Sequence, residues 1–422
     1  MLNKKTLILL MLALLFPNIS AYPQAALTWD ECVRVAISNN PELISAHEQI
    51  KQVVADKDIS LSLIMPQVSS DASAKRQKSN GMVATDTYSY GISGSQLVFD
   101  GFKTASELSG ASKTIQAMRY NYTVVSSDVR LGLRSAFANL IRAQELTSIT
   151  RDIAARRKQN LELVKLRYEG GREHKGALLT AEADMAQADF ELSQAVRNLN
   201  LTQRELAKEL GTTDNTDIEA LGELCLDRDY TVKPDIDKLA EDTPFLRDLI
   251  SRKEAARFNL NSKESDFFPK VYVNGAIGRT GNKWLPRKNE WSAGASVSLP
   301  LFEGGRRLAE VSKAKSRLEQ AVSDERSGRD GVLITLERSW KDLQDAIADV
   351  SVQEKFLRAA EERAKITRSQ YSTGLASFND WIIIEDNLVK AQKAYLDTRA
   401  DMLIAEAYWI QAIGGTLEYD EK

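Results

Sequence analysis

Residues 291–299 (WSAGASVSL) alternate strictly: Trp291, Ala293, Ala295, Val297 and Leu299 fall on one face, and Ser292, Gly294, Ser296 and Ser298 on the other. Residues 88–98 follow the same rule, with Tyr88, Tyr90, Ile92 and Val98 opposing Ser89, Gly91, Ser93 and Ser95. A two-residue period predicts strands with one apolar and one polar face. Segments 68–76 (VSSDASAKR) and 271–279 (VYVNGAIGR) supply partner strands, with Asp71 and Lys75 among the polar positions. The intervening 77–87 and 280–290 are polar and carry the turn signals Asn80-Gly81 and Gly281-Asn282. Two β-hairpins are therefore predicted, over 67–99 and 270–300.

The rest of the chain changes period. Trp381, Leu388, Tyr395, Met402 and Trp409 recur every seven residues, and Ile384, Ala391, Thr398, Ala405 and Ala412 follow three positions on. Leu178, Met185, Leu192, Leu199 and Leu206, with Ala181, Ala188, Ala195 and Thr202, repeat the arrangement earlier. Large layers alternating with small ones let knobs enter holes at close helix spacing, and the seven-residue period implies left-handed supercoiling. We read these stripes as coiled-coil packing, not as a ligand site.

Both patterns occur twice at one offset. Asn40-Pro41-Glu42-Leu43 returns as Thr243-Pro244-Phe245-Leu246, and Met65-Pro66-Gln67-Val68 as Phe268-Pro269-Lys270-Val271. Phe137 maps to Trp340, Tyr168 to Tyr371, Gly171 to Gly374 and Gly211 to Gly414, each 203 residues on. A constant offset over so long a stretch predicts two tandem copies. No proline occurs between Pro66 and Pro234, and none follows Pro300, so long helices are allowed there. Each copy reads as a helix ending near Pro66 or Pro269, a hairpin, a long helix, a glycine turn and a return helix. The predicted organisation is a first repeat over 22–211 (long helix 101–168, return helix 177–211), a connector over 212–241, and a second repeat over 242–422 (long helix 304–371, return helix 380–413, short tail). At about 1.5 Å per residue each long helix spans roughly 100 Å. The first and last helices of a copy, stacked end to end, would run antiparallel beside it.

Composition limits what this can do. Of 422 residues, 43% are hydrophobic and 27% charged, which excludes a disordered chain, and the net charge of −3 argues against nucleic acid as a partner. Lys4 and Lys5 precede an apolar run, Thr6–Phe16, and small residues follow at Ser20-Ala21; this predicts a secretory signal over 1–21. No later run is long enough for a transmembrane helix, so a membrane role has to come from the strands. Strands with this alternation match outer-membrane barrel strands, but four per chain cannot close a barrel. Two chains would give eight strands and three would give twelve. Cys32 and Cys225 are either unrelated small residues or, in an oxidising compartment, a disulfide. Two histidines, His47 and His174, offer no metal spacing, and no phosphate loop or nucleophile motif is present; no cofactor and no catalysis are expected.

The segment LTWDECVRVAISNNPEL, the Pro66 and Pro269 boundaries, QLVFDG and SLPLFEGG at strand exits, and RYEGG and QYSTG at the turns resemble the TolC-like outer-membrane efflux channels over 27–414. The resemblance implies an α+β membrane protein: a long antiparallel coiled-coil α-barrel continuous with an oligomeric transmembrane β-barrel, four strands per chain, built from two tandem repeats. It implies a homotrimer in outer-membrane lipid with a large periplasmic part. Such a channel is the exit duct of a tripartite efflux pump or type I secretion system. Its implied partners are a periplasmic adaptor (membrane fusion) protein and an inner-membrane RND or ABC transporter. By the same resemblance Tyr168, Gly171, Tyr371 and Gly374 match the periplasmic tips where adaptor hairpins dock, and Asp380 matches an aspartate lining the tunnel mouth. A ring of such carboxylates favours cations; the alternative role for Asp380 is capping the last helix. The first turn departs from the pattern, with Ala177 where relatives often carry aspartate, as does Ile383 at a position acidic in some relatives. The competing architecture is a periplasmic coiled-coil scaffold with soluble hairpins.

Overall fold

The computed structural model describes residues 26–78, 80–81, 83–212, 217–226 and 228–418. The expected signal segment and the last residues of the tail lie outside the described residues. Helices α1 (Trp29–Asn39) and α2 (Pro41–Ser62) lead to strands β2 (Gln67–Gln77) and β3 (Thr85–Phe99), then to α3 (Lys103–Glu169) and α4 (Lys175–Glu209). After the connector, α5 (Ile236–Asp242) and α6 (Pro244–Ser265) lead to β5 (Lys270–Gly281) and β6 (Lys288–Ser298), then to α7 (Arg306–Thr373) and α8 (Phe378–Ala412). Two-residue strands β1 (Ala26–Leu27) and β4 (Glu219–Ala220) pair in parallel and tie the start of the chain to the connector.

Several boundaries depart from the sequence expectation. The first helix of each half is two helices, broken at Asn40-Pro41 and Thr243-Pro244. Proline forces the preceding residue out of the helical region and is itself at home as the first helical residue. Asn40 and Thr243 are accordingly extended. The expected connector over 212–241 contains β4 and most of α5. The long helices start two residues later than expected, because Gly101 and Phe102, and Gly304 and Gly305, take left-handed conformations first. The two cysteines are free, Cys32 buried in α1 and Cys225 exposed, so the disulfide does not form. Burial pushes the Cys32 thiol up to about 12.

Stacking end to end has an atomic basis. The Asn40 side chain accepts from the N–H groups of Glu42 and Leu43 and donates to Glu209 O at 2.9 Å, joining the start of α2 to the end of α4. Near the turns the lateral order is α4–α3–α8–α7, and in the other half it is α2–α3–α6–α7. The sheet is ordered β2–β3–β5–β6 throughout antiparallel. One edge of the chain is therefore β2, α2 and α4; the other is β6 and α7.

The core forms where helices meet at mid-height. Phe137, Leu133, Leu140 and Ile141 of α3 pack with Cys32, Leu43, Leu206 and Leu403, and Trp29 lies edge-on to Phe137 at 5.9 Å. The second half repeats this with Trp340, Leu336 and Leu343 of α7, Ile236 of α5 and Trp409 of α8, the two indoles 5.1 Å apart. The heptad stripes are buried unequally. On α8, Trp381, Leu388, Met402 and Trp409 are buried, and so is a second line including Leu396, Ala400, Leu403 and Ala407, because α8 sits between α3 and α7. On α4 the small line Ala181, Ala188, Ala195 and Thr202 is buried and most of the leucine line is half-buried.

Gly211 ends α4 with φ +72°, and a Cβ there would lie 2.3 Å from Asn39 O. Gly171 is also left-handed, but its Cβ would meet nothing within 4 Å. Gly211→Ala is expected to destabilise the helical part by more than the ~1–2 kcal/mol conformational cost that Gly171→Ala carries alone. Urea midpoints from helical circular dichroism check this; equal midpoints for the two variants would contradict the stacked junction.

Candidate functional site

The sheet presents two distinct faces. Val68 pairs across to Gly94, Ile92 to Ile277, and Ile277 to Trp291, so one face carries Val68, Ile92, Val273, Ile277, Trp291 and Val297, all exposed. The other face carries Ser69, Asp71, Ser73, Ser89, Ser93, Asn274, Ser292 and Ser296. Hydroxyls meet along it: Ser69 with Ser93 and Ser73 with Ser89, each at 2.9 Å, while Asn274 Nδ2 donates to Ser296 Oγ at 3.0 Å. An exposed apolar face backed by a small, polar one is the pattern of a barrel wall with lipid outside and water inside.

At the opposite end the two helical turns clasp each other. The α3–α4 turn closes with Arg172 N–H donating to Arg167 O at 2.8 Å and Gly171 at φ +67°. The α7–α8 turn closes with Leu375 N–H donating to Gln370 O at 2.8 Å and Gly374 at φ +83°. Both are helix ends that need a left-handed residue, hence glycine. Tyr371 is fully buried and stacks on Trp381, ring centroids 4.3 Å apart and nearly parallel. The Arg167 guanidinium lies 4.5 Å over the Tyr371 ring and donates to Tyr371 O at 2.7 Å. The Tyr371 hydroxyl donates to Glu173 Oε2 at 3.2 Å. Arg167 and Glu173 of one turn thus hold Tyr371 of the other.

Of the four residues expected at the docking tips, Tyr371 is buried in the interior. Gly171, Gly374 and, at 38% exposure, Tyr168 remain accessible. Leu375, 81% exposed, stands at the same turn and was not singled out in the sequence, where one leucine after a glycine carries no signal.

Asp380 is exposed in the first turn of α8. Its N–H donates to Ser377 Oγ at 3.2 Å, and Ser377 Oγ donates to Asp380 Oδ2 at 2.7 Å. Ser377, not Asp380, is the N-cap of α8, and the Asp380 carboxylate stays at the surface. Ile383, one turn on, is 56% exposed.

Beside its apolar clusters, the α3–α8 seam carries a series of polar and ionic contacts. Arg157 bonds Asp386, Arg156 Nη2 donates to Gln392 Oε1 at 2.8 Å, and Arg399 pairs with Glu145 at 3.2 Å. Lys393 reaches Glu191 on α4 at 2.6 Å, and Arg368 of α7 holds buried Glu385 at 2.6 Å. Burial raises the Asp184 carboxyl, with Arg157 at 4.0 Å acting against it and Asp386 adding to it. These residues read in the sequence as ordinary solvated helix positions; only the registry of helices far apart in the chain pairs them.

Burial, with Glu173 beside it, pushes the Tyr371 phenol up to about 12 against an ordinary value of 10.0. A raised folded-state pKa means that the folded tip holds this proton more tightly than the unfolded chain. Its stabilising contribution is complete below pH 10 and is lost as pH rises to about 12. Ultraviolet titration should show one tyrosine ionising late in the native protein and missing from Tyr371→Phe, which also loses about 1 kcal/mol for the hydroxyl bond. A late-titrating tyrosine that persists in Tyr371→Phe would refute the assignment.

A family profile described as "Outer membrane efflux protein" matches residues 32–212 and 236–415. The outer membrane efflux protein BepC of Brucella suis biovar 1 is 24% identical over 90% of this chain and 83% of its own length. The outer membrane protein TolC of Vibrio cholerae is 22% identical over 92% of this chain and 91% of its own. Among solved structures, the outer membrane protein VceC of Vibrio cholerae superposes with a TM-score of 0.82 at 20% identity, covering 92% of this chain and 97% of that one.

Proposed function

The chain belongs to the outer membrane efflux protein family, and from that premise we propose that three copies close into one channel whose helices form a tunnel reaching to an inner-membrane transporter. The protein is an outer-membrane exit duct for efflux or secretion. The observation that carries the assembly is the sheet: four strands with an apolar face, unpaired at β2 and β6. Unpaired backbone groups cannot face lipid, so β6 of one copy pairs with β2 of the next. An eight-stranded barrel is filled by its own side chains, and the serine- and glycine-rich inner face is too small to fill one. Twelve strands leave a passage.

The helices close by the same edges. Val352, Phe356 and Ile366 on α7, and Leu179, Phe190 and Val196 on α4, are exposed in one chain at comparable distances from the turns. In the ring they cover each other. The two halves of the chain act as two copies of one unit, each giving two strands, one long helix and one stacked pair. The duct itself is a passive conduit with no chemistry of its own. A periplasmic adaptor docks at the tips through Tyr168, Gly171, Gly374 and Leu375, with Tyr371 shaping the surface from within. Three Asp380 carboxylates ring the mouth, and the ionic α3–α8 seam lets it open by exchanging ion pairs for water, since partly exposed pairs of this kind are each worth little.

Membrane fractionation tests the assembly: the full chain should fractionate with the outer membrane as a heat-resistant trimer on gels. A monomer confined to the soluble periplasmic fraction would refute the channel. Two substitutions separate mouth from tip. Asp380→Ala should lower cation preference in single-channel recordings severalfold with the trimer intact, and unchanged selectivity would remove the ring. Gly374→Trp should impair export while conductance of the isolated channel persists; normal export would place docking elsewhere.

A further inference from the structure

The apolar face of the sheet ends, toward the hairpin loops, in a row that breaks its own pattern. Arg279 lies two residues beyond Ile277 on the same face, paired across to Tyr90 on β3 and Asn289 on β6. A guanidinium on a lipid-facing wall is tolerated only near the interface, and there it needs polar or anionic company. Arg279 Nε donates to Asn289 Oδ1 at 3.0 Å, and among the described residues no carboxylate pairs with it. Tyr90 flanks it, Trp291 stands one row inward, and Tyr88 meets Trp284 edge-on at 5.7 Å; Tyr90, Trp284 and Trp291 are exposed. Aromatic rings of this kind settle at headgroup depth.

The charge around this row is lopsided. Segments 75–88 and 279–291 hold seven Lys or Arg and two Asp or Glu, in a chain whose net charge is −3. Lys283 and Arg287 in the second loop are exposed. The opposite end of the same sheet differs. There Lys103 and Lys270 both face Asp266, at 2.8 and 3.6 Å, and Arg306 and Arg307 both hold Glu303, at 2.7 and 2.6 Å. Cations are neutralised internally at the end that joins the helices and left in excess at the loop end.

We propose that Arg279, with Lys283 and Arg287, forms an outward-facing collar that binds the phosphates of the phosphorylated glycolipid in the outer leaflet. The aromatic row supplies the apolar side of the contact. Arginine suits the task because its planar fork matches phosphate oxygens. This rests on the barrel reading above, since only an inserted sheet brings this row to headgroup level.

The test uses the full-length oligomer in neutral detergent, exposed to bisphosphorylated lipid A or to the same lipid with both phosphates removed. Native mass spectrometry counts the lipid retained. Wild type should retain the phosphorylated form at least about tenfold better, and Arg279→Gln should lose about fivefold of that preference, as expected per cation at a lipid surface. Arg279→Lys should keep most of it, and Arg306→Gln, at the other end, all of it. If Arg279→Gln fails to assemble, the Lys283→Gln/Arg287→Gln pair carries the same expectation. Equal retention of both lipids by wild type, or an undiminished preference in Arg279→Gln, overturns the proposal. Vesicle flotation separates the two readings: wild type that floats with vesicles but shows no phosphate preference sinks the collar alone, whereas wild type that fails to float sinks the barrel with it.

Discussion

Every backbone N–H and C=O group in hydrocarbon must be hydrogen-bonded, and a four-stranded sheet satisfies only its inner strands. Among the described residues the outer rows of β2 and β6 have no strand partner. The proposed oligomer and shared passage rest on this, as does the alternation that places Ser69, Ser93 and Ser296 on one side and Ile92, Ile277 and Trp291 on the other. A one-residue slip in register would exchange these faces. The Ser69–Ser93 and Ser73–Ser89 hydroxyl pairs favour the observed register from the polar side.

The helices inherit the lateral order of the strands. β2–β3–β5–β6 continues into α2–α3–α6–α7 and then into α4–α3–α8–α7. Two long helices run the full length; α6 and α8 lie between them, and α2 and α4 meet end to end at the edge beside α3. The aromatic clusters around Phe137 and Trp340 lie at mid-height. Farther toward the turns the helices are only one layer thick. There ion pairs such as Arg157–Asp386 and Lys393–Glu191 alternate with smaller buried clusters around Ile153 and Tyr371.

The tip illustrates how one residue type serves two purposes. Tyr168 and Tyr371 are equivalent by position, yet the first is partly exposed and the second buried under Arg167 and against Trp381. The difference arises because the α7–α8 turn lies inside the reach of the first turn's Arg167 and Glu173, so the repeated motif is used once as surface and once as core.

Periodicity alone determined the strands, their two faces, the long helices and the turns. These are local properties: a period of two or seven is written in consecutive residues, and glycine and proline mark where it stops. The 203-residue offset added the duplicated order. Tertiary structure decided what depends on neighbours distant in the chain. The break of the first helices at Asn40 and Thr243, the burial of the small rather than the large stripe on α4, the ionic seam and the interior position of Tyr371 all depend on which helix lies alongside. Arg279 shows the same division. Arg279 was visible in the sequence as the last residue of a strand, but its place on the apolar face, beyond Ile277 and with no carboxylate paired to it among the described residues, required the register of three strands.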